Sequence, residues 1–335
     1  MSARPAAYGL ALAAAVLAAG PGRGRVDMQS GPGLFEYAHE CERQIAALPQ
    51  FDCASGALVP ITVDGGKVPP RYTSAMSCDR PSLLLHEKGE NTDGQCVPNS
   101  RALVLRDDGK VQISAFCRQR LIRPAGTRLY DELDVVMHSV ESGSTCWFRA
   151  KKPNPAGDPG IGVNGSRVPP PTSPAGRSFW NPPAEVAAQN CGFCHDSGPF
   201  YYSPFIGQTG RIPSDPLGRY KNDIGRPFQD WPKPLSLSTR GNTCTGCHRI
   251  GSEYTCQTGM YQSIGATQIV DLDEWGQRYP QSHWMPIDNL WSLAQWQVIY
   301  TQSVQALGEC CKNPKTPGCI AQPIESASRL AGGQP

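Results

Sequence analysis

Apolar and polar positions alternate with a period of two at three places in the first half of the chain. In "ITVDGGKV" (Ile61 to Val68) and "ALVLRDDGKVQISAF" (Ala102 to Phe116) the alternation surrounds an Asp-Gly pair, the pattern of a tight hairpin. "LDVVMHSV" (Leu133 to Val140) and "STCWFRA" (Ser144 to Ala150) flank "ESG" and predict a third hairpin. Ahead of these, Leu34, Tyr37, Cys41, Ile45 and Leu48 recur at helical spacing and predict a helix from Gly33 to Leu48.

The periodicity then stops. Between Pro153 and Pro174 lie seven prolines and four glycines, a composition that reads as an interdomain linker with no core of its own. Beyond it the spacing turns helical. "NPPAEVAAQNCGFCH" offers Asn181 as a cap with proline in the first turn. Asp288 can cap a second helix, "NLWSLAQWQVIYTQSVQAL", whose stripe is Leu293, Trp296, Tyr300, Val304 and Leu307. The expected architecture is therefore two-domain. A disulfide-rich, mostly-β N-terminal domain (23–152) leads through a linker (153–176) to a mostly-α, loop-rich domain (177–308) and a cysteine-containing tail (309–335).

Composition changes this picture in one respect. Arg4 followed by the apolar run Ala6 to Ala19 reads as an export signal ending near residue 22, too short for a stable membrane span. Export to a periplasmic or similar compartment accounts for 14 cysteines, which pair in oxidising surroundings. The net charge of +2 gives no nucleic-acid footprint.

Four cysteines carry chemistry of their own. Cys191, Cys194 and His195 form "CGFCH"; Cys244, Cys247 and His248 form "CTGCH". Cys-x-x-Cys-His is the attachment sequence of c-type haem, in which both thiols bond the porphyrin and the histidine ligates iron. Zinc and plain disulfides are the alternatives. Zinc requires no histidine directly behind the second cysteine of both pairs. Two covalently bound haem c groups are therefore expected. The remaining cysteines divide evenly, six before the first motif and four after the second, so each half can close its own disulfides. Adjacent Cys310 and Cys311 are expected to take different partners.

From about Phe179 to Leu307 the chain resembles class I-type c cytochromes. The likeness rests on a helix entering "CGFCH", a second "CTGCH", the segment "HWMP" and an aromatic-bearing terminal helix. It does not reach the N-terminal half. The motifs are too close for two tandem full-sized domains, and closer than in the di-haem cytochrome c peroxidases. The resemblance implies Met285 as the distal ligand of the second haem, with His283 as its rival. For the first haem, which has neither histidine nor methionine between His195 and Cys244, the candidates are His283, then Met260, then an open site. His39, His86 and His138 are read as surface or core residues, Tyr201 and Tyr202 as pocket wall, and Asp196 as a solvated loop charge.

Transfer of single electrons between redox protein partners is the activity these readings lead to. The alternatives are a peroxidase-like di-haem oxidoreductase using a five-coordinate first haem, which leaves enzymatic activity open, and a partner-binding or sensing module carrying haem.

Overall fold

The computed structural model describes residues 33–63, 66–73, 76, 78, 97–200, 206, 209–213, 217–222, 224–256, 260 and 293–326, without the side chains of 293, 294, 296 and 297. The expected export signal, His86, Tyr201, Tyr202, His283, Met285 and the Asp288 cap lie outside these residues, as do the side chains of Leu293 and Trp296.

The first half is built on one antiparallel sheet in the order β1-β2-β3-β5-β6. Its strands are β1 (Ala57–Leu58), β2 (Arg101–Asp107), β3 (Val111–Arg118), β5 (Glu132–Ser139) and β6 (Thr145–Lys151). The β2–β3 and β5–β6 hairpins fall where the alternation placed them. In the first, the Asp108 carboxylate accepts from the Lys110 and Val111 amides while Gly109 takes φ 77°, a conformation glycine adopts without a Cβ penalty. Among the described residues of the Ile61–Val68 segment the pairing is an isolated bridge, Val63 with Lys67.

Helix α1 (Leu34–Gln44) covers one face of the sheet. It ends at Gln44, with Ile45 outside helical dihedrals, and so stops short of Leu48. Tyr37 is fully buried, packs against Phe148 and accepts a hydrogen bond from the Trp147 amide at 2.9 Å. Cys41 is bonded to Cys146, and Cys53 to Cys117.

The Pro/Gly-rich segment is built into this core, contrary to the reading that it buries nothing. Strand β7 (Val163–Asn164) pairs with β4 (Leu129–Tyr130), Val168 bridges Phe51, and Val163 and Val168 are buried. Arg123, ion-paired to Asp131, donates to the Pro159 and Ile161 carbonyls. Those side-chain donors replace the sheet ladder that prolines cannot join.

Helices follow: α2 (Pro174–Phe179), α3 (Pro183–Ala188), the single turn α4 (Cys191–Cys194) and, near the C-terminus, α5 (Leu293–Lys312). Asn181 does not cap α3. Its side chain instead accepts from the Lys151 amide and donates to Glu185, which pins the helix start to β6. On α5, Val304 and Leu307 are buried against a two-stranded antiparallel sheet of β8 (Leu235–Thr239) and β9 (Cys319–Pro323). Cys256 is bonded to Cys311 and Cys310 to Cys319, so the adjacent cysteines take different partners. Among the described residues no helix is long and apolar enough to cross a membrane.

Candidate haem-binding site

Every described cysteine outside the two pentapeptides is disulfide-bonded, and Cys191, Cys194, Cys244 and Cys247 are not. Both pentapeptides take the same local shape. The His195 amide donates to the Cys191 carbonyl at 2.9 Å, and the His248 amide to the Cys244 carbonyl at 2.9 Å. Each is thus one helical turn, with the histidine closing the turn that begins at the first cysteine. Asn190, in the left-handed region with φ 51°, breaks α3 from the first turn; asparagine tolerates this better than most residues.

The first turn lies on the sheet face opposite α1. Register pairs Asp134 with Arg149, Val136 with Trp147, and His138 with Thr145, and strand alternation puts all six side chains on that face. The segment from Gln189 to Phe200 runs along this row. Arg149 donates to Gln189 at 2.8 Å, His195 packs edge-on against Trp147 at 4.8 Å, and Phe200 meets His138 at 6.3 Å. Trp231 closes the other side and donates to the Ala187 carbonyl. It sits so near Gly192 that a Cβ there would come within 2.8 Å of the indole.

Burial governs the electrostatics. It pushes the Cys191 thiol up to about 12, aided by Asp134, and the Cys194 thiol up to about 11, aided by Asp196. Burial pushes the His195 imidazole down to about 4, opposed by a hydrogen bond to the Pro199 carbonyl. Nearby, Trp147 Nε1, Tyr220 Oη and Asn222 Oδ1 are buried with no hydrogen-bond partner among the described residues. Such atoms are rare in native interiors and mark a missing polar partner.

The second turn sits between β8 and α5. The Cys244 amide donates to Asn242 Oδ1, Asn242 Nδ2 donates to the Ser303 carbonyl, and the Thr243 and Ser303 hydroxyls are 2.7 Å apart. Cys247 and His248 are exposed. Met260 is buried in the apolar cluster that packs against Cys244, beside the second motif.

The two turns are joined by reciprocal contacts. Asp196, directly after His195, is 3% exposed and accepts from the Glu253 and Thr255 amides at 2.8 and 3.0 Å and from the Thr255 hydroxyl. Arg249, directly after His248, donates to the Ser197 and Gly218 carbonyls at 3.2 and 2.6 Å. Phe193 meets Tyr254 edge-on, and a Cβ at Gly251 would collide with the Asp196 carboxylate. Asp196 is therefore a buried latch and not a solvated charge. Its partners lie in the other motif's loop, which its neighbours in sequence do not reveal.

Comparison with protein-family models, curated proteins and solved structures finds no match. The site's own chemistry has to carry the reading.

Among the described residues no three His, Cys, Asp or Glu side chains converge as a metal-ligand cluster. A zinc centre requires such convergence. A porphyrin does not, because its thioether and iron attachment points are spread over the ring. His39 is on α1, its Nδ1 3.2 Å from Glu42 at the partly exposed surface of the helix.

Proposed function

We propose that the chain is an exported di-haem c-type cytochrome that passes single electrons between redox protein partners. The observation that carries this is the sorting of thiols. In a chain whose other described cysteines are oxidised to disulfides, four stay apart, and they are the four of two Cys-x-x-Cys-His turns, each closed by the histidine amide on the first cysteine's carbonyl.

Cys191 and Cys194 would hold the first haem and Cys244 and Cys247 the second, with His195 and His248 as proximal ligands. Bound there, haem supplies a one-electron iron couple. The donor chemistry supports the fit: Trp147 Nε1 and Tyr220 Oη are buried donors of the kind that haem carboxylates accept from. Trp147, Trp231 and Phe228 exclude water around the first turn. The Asp196 and Arg249 latches bring the two turns together, which favours electron exchange over two independent sites. The exposed Cys247 and His248 suit the second turn to meeting a partner. Met285 is proposed as the distal ligand of the second haem, a thioether that raises the potential. A cytochrome-like unit at 177–308, distinct from the β-rich part, belongs to this proposal.

The test is intact-mass analysis of protein matured in a host that attaches haem c. Two haems are expected, one in Cys191→Ala/Cys194→Ala and one in Cys244→Ala/Cys247→Ala. Bare polypeptide in the parent would end the redox reading.

A further inference from the structure

His138 is 1% exposed on the sheet face that carries the first turn. Its Nδ1 lies 2.9 Å from the Thr145 hydroxyl, and that hydroxyl donates to the Gly143 carbonyl at 3.2 Å. With the Thr145 proton directed to Gly143, Thr145 Oγ1 accepts from His138 Nδ1–H, and this tautomer, assigned from the hydrogen-bond network, leaves the lone pair on Nε2.

Nothing among the described residues donates to that lone pair. The cross-strand neighbour is Gln112, but its amide donates to Asp107 at 3.2 Å. Arg249 is near enough to act on His138 electrostatically, but its guanidinium is engaged by the Ser197 and Gly218 carbonyls. Burial, with Arg249 adding to it, pushes the imidazole down to about 4, so the ring is neutral at pH 7. A buried neutral imidazole fixed by Nδ1–H and presenting Nε2 is the arrangement of a metal-ligating histidine with its orienting partner.

Position supports the same use. His138 is one alternation step along β5 from Val136, whose cross-strand partner Trp147 packs against His195. Phe200, on the loop leaving His195, meets the His138 ring edge-on. The strand thus delivers an imidazole to the first turn from outside the cytochrome-like segment, where the intervening sequence between the two motifs offers none.

We infer that His138 Nε2 is the distal axial ligand of the haem held by Cys191, Cys194 and His195. The β-sheet then completes the first haem's coordination. The inference rests on the haem reading above, and it takes the place of His283, Met260 and the open site expected from sequence.

The test uses holoprotein bearing Cys244→Ala/Cys247→Ala, so that only the first haem is present, with haem content checked by mass. Absence of haem in this protein and in the parent would fail the haem reading itself. With haem attached, a low-spin bis-imidazole EPR spectrum is expected. His138→Ala should convert it to a high-spin, cyanide-binding form that added imidazole returns to low spin. His138→Met, which keeps an unbranched apolar filling, should show a near-infrared sulfur-to-iron band and a raised potential. His283→Ala should change neither. Retention of the low-spin bis-imidazole spectrum in haem-loaded His138→Met, or its loss in His283→Ala, overturns the inference. Should His138→Ala not fold, the His138→Met and His283→Ala spectra still decide.

Discussion

Glu132 is 2% exposed and surrounded by Arg118, Arg120 and Arg149, with the first two at 3.2 and 3.3 Å. Burial alone would raise its pKa, but Arg149, Arg118 and Arg120 together hold the carboxyl well below the usual range. Glu132→Gln should cost about 3–5 kcal/mol in urea unfolding, because it leaves buried guanidinium groups uncompensated. The sign of the pH effect follows. With the folded pKa below the unfolded one, the stabilisation is complete above about pH 4.3 and is lost as pH falls further. Glu132→Gln should therefore flatten the acid limb of the stability profile, as pH-dependent melts would record. None of this was legible in sequence, since "YDELDVV" shows an acidic residue on a strand but not the three arginines that strand pairing and β6 bring to it.

At the scale of elements, the hairpins turning at Asp108-Gly109 and at Glu141-Ser142-Gly143 formed where the alternation placed them, whereas Ile61–Val68, with the same Asp-Gly signal, forms an isolated bridge between Val63 and Lys67. The helix expected to lead into the first motif is α3, which ends at Ala188, and the left-handed Asn190 then reorients the chain onto the sheet. Disulfides join elements with unequal leverage. Removing Cys41–Cys146, which spans 105 residues, should cost about 4–5 kcal/mol, and removing Cys310–Cys319, which spans 9, about 2–3 kcal/mol, if the loop entropy of the unfolded chain dominates. Paired Ser variants compared by denaturant midpoint would check the order. The latch between motif loops makes a separate prediction. Gly251→Ala drives a methyl into Asp196, and Asp196→Asn weakens hydrogen bonds to a charged acceptor worth about 1.5–3 kcal/mol each. Both variants should keep two haems by mass yet lose part of the coupling between them, read as reduced splitting in Soret circular dichroism. Unchanged splitting in both would detach the latch from that role.

For the molecule as a whole, the net charge of +2 offers little long-range steering. Reduction by a small charged mediator should change less than about tenfold between low and physiological salt, against the 10–10³-fold reached by strongly steered pairs. Stopped-flow rates across an ionic-strength series would measure it. The asymmetry between a first turn walled by Trp147 and Trp231 and a second with Cys247 and His248 exposed is likewise a whole-molecule property.

Local chemistry is what the sequence by itself determined: two of the three hairpins from period-two alternation, the even division of cysteines, and two Cys-x-x-Cys-His pentapeptides. Tertiary structure alone decided which cysteines pair, that the Pro/Gly segment joins the core through Arg123, that Asp196 and Arg249 cross between motifs, and that His138 shares a sheet face with Trp147. Those outcomes depend on strand register and on partners dozens of residues away. A residue's neighbours along the chain carry no information about either.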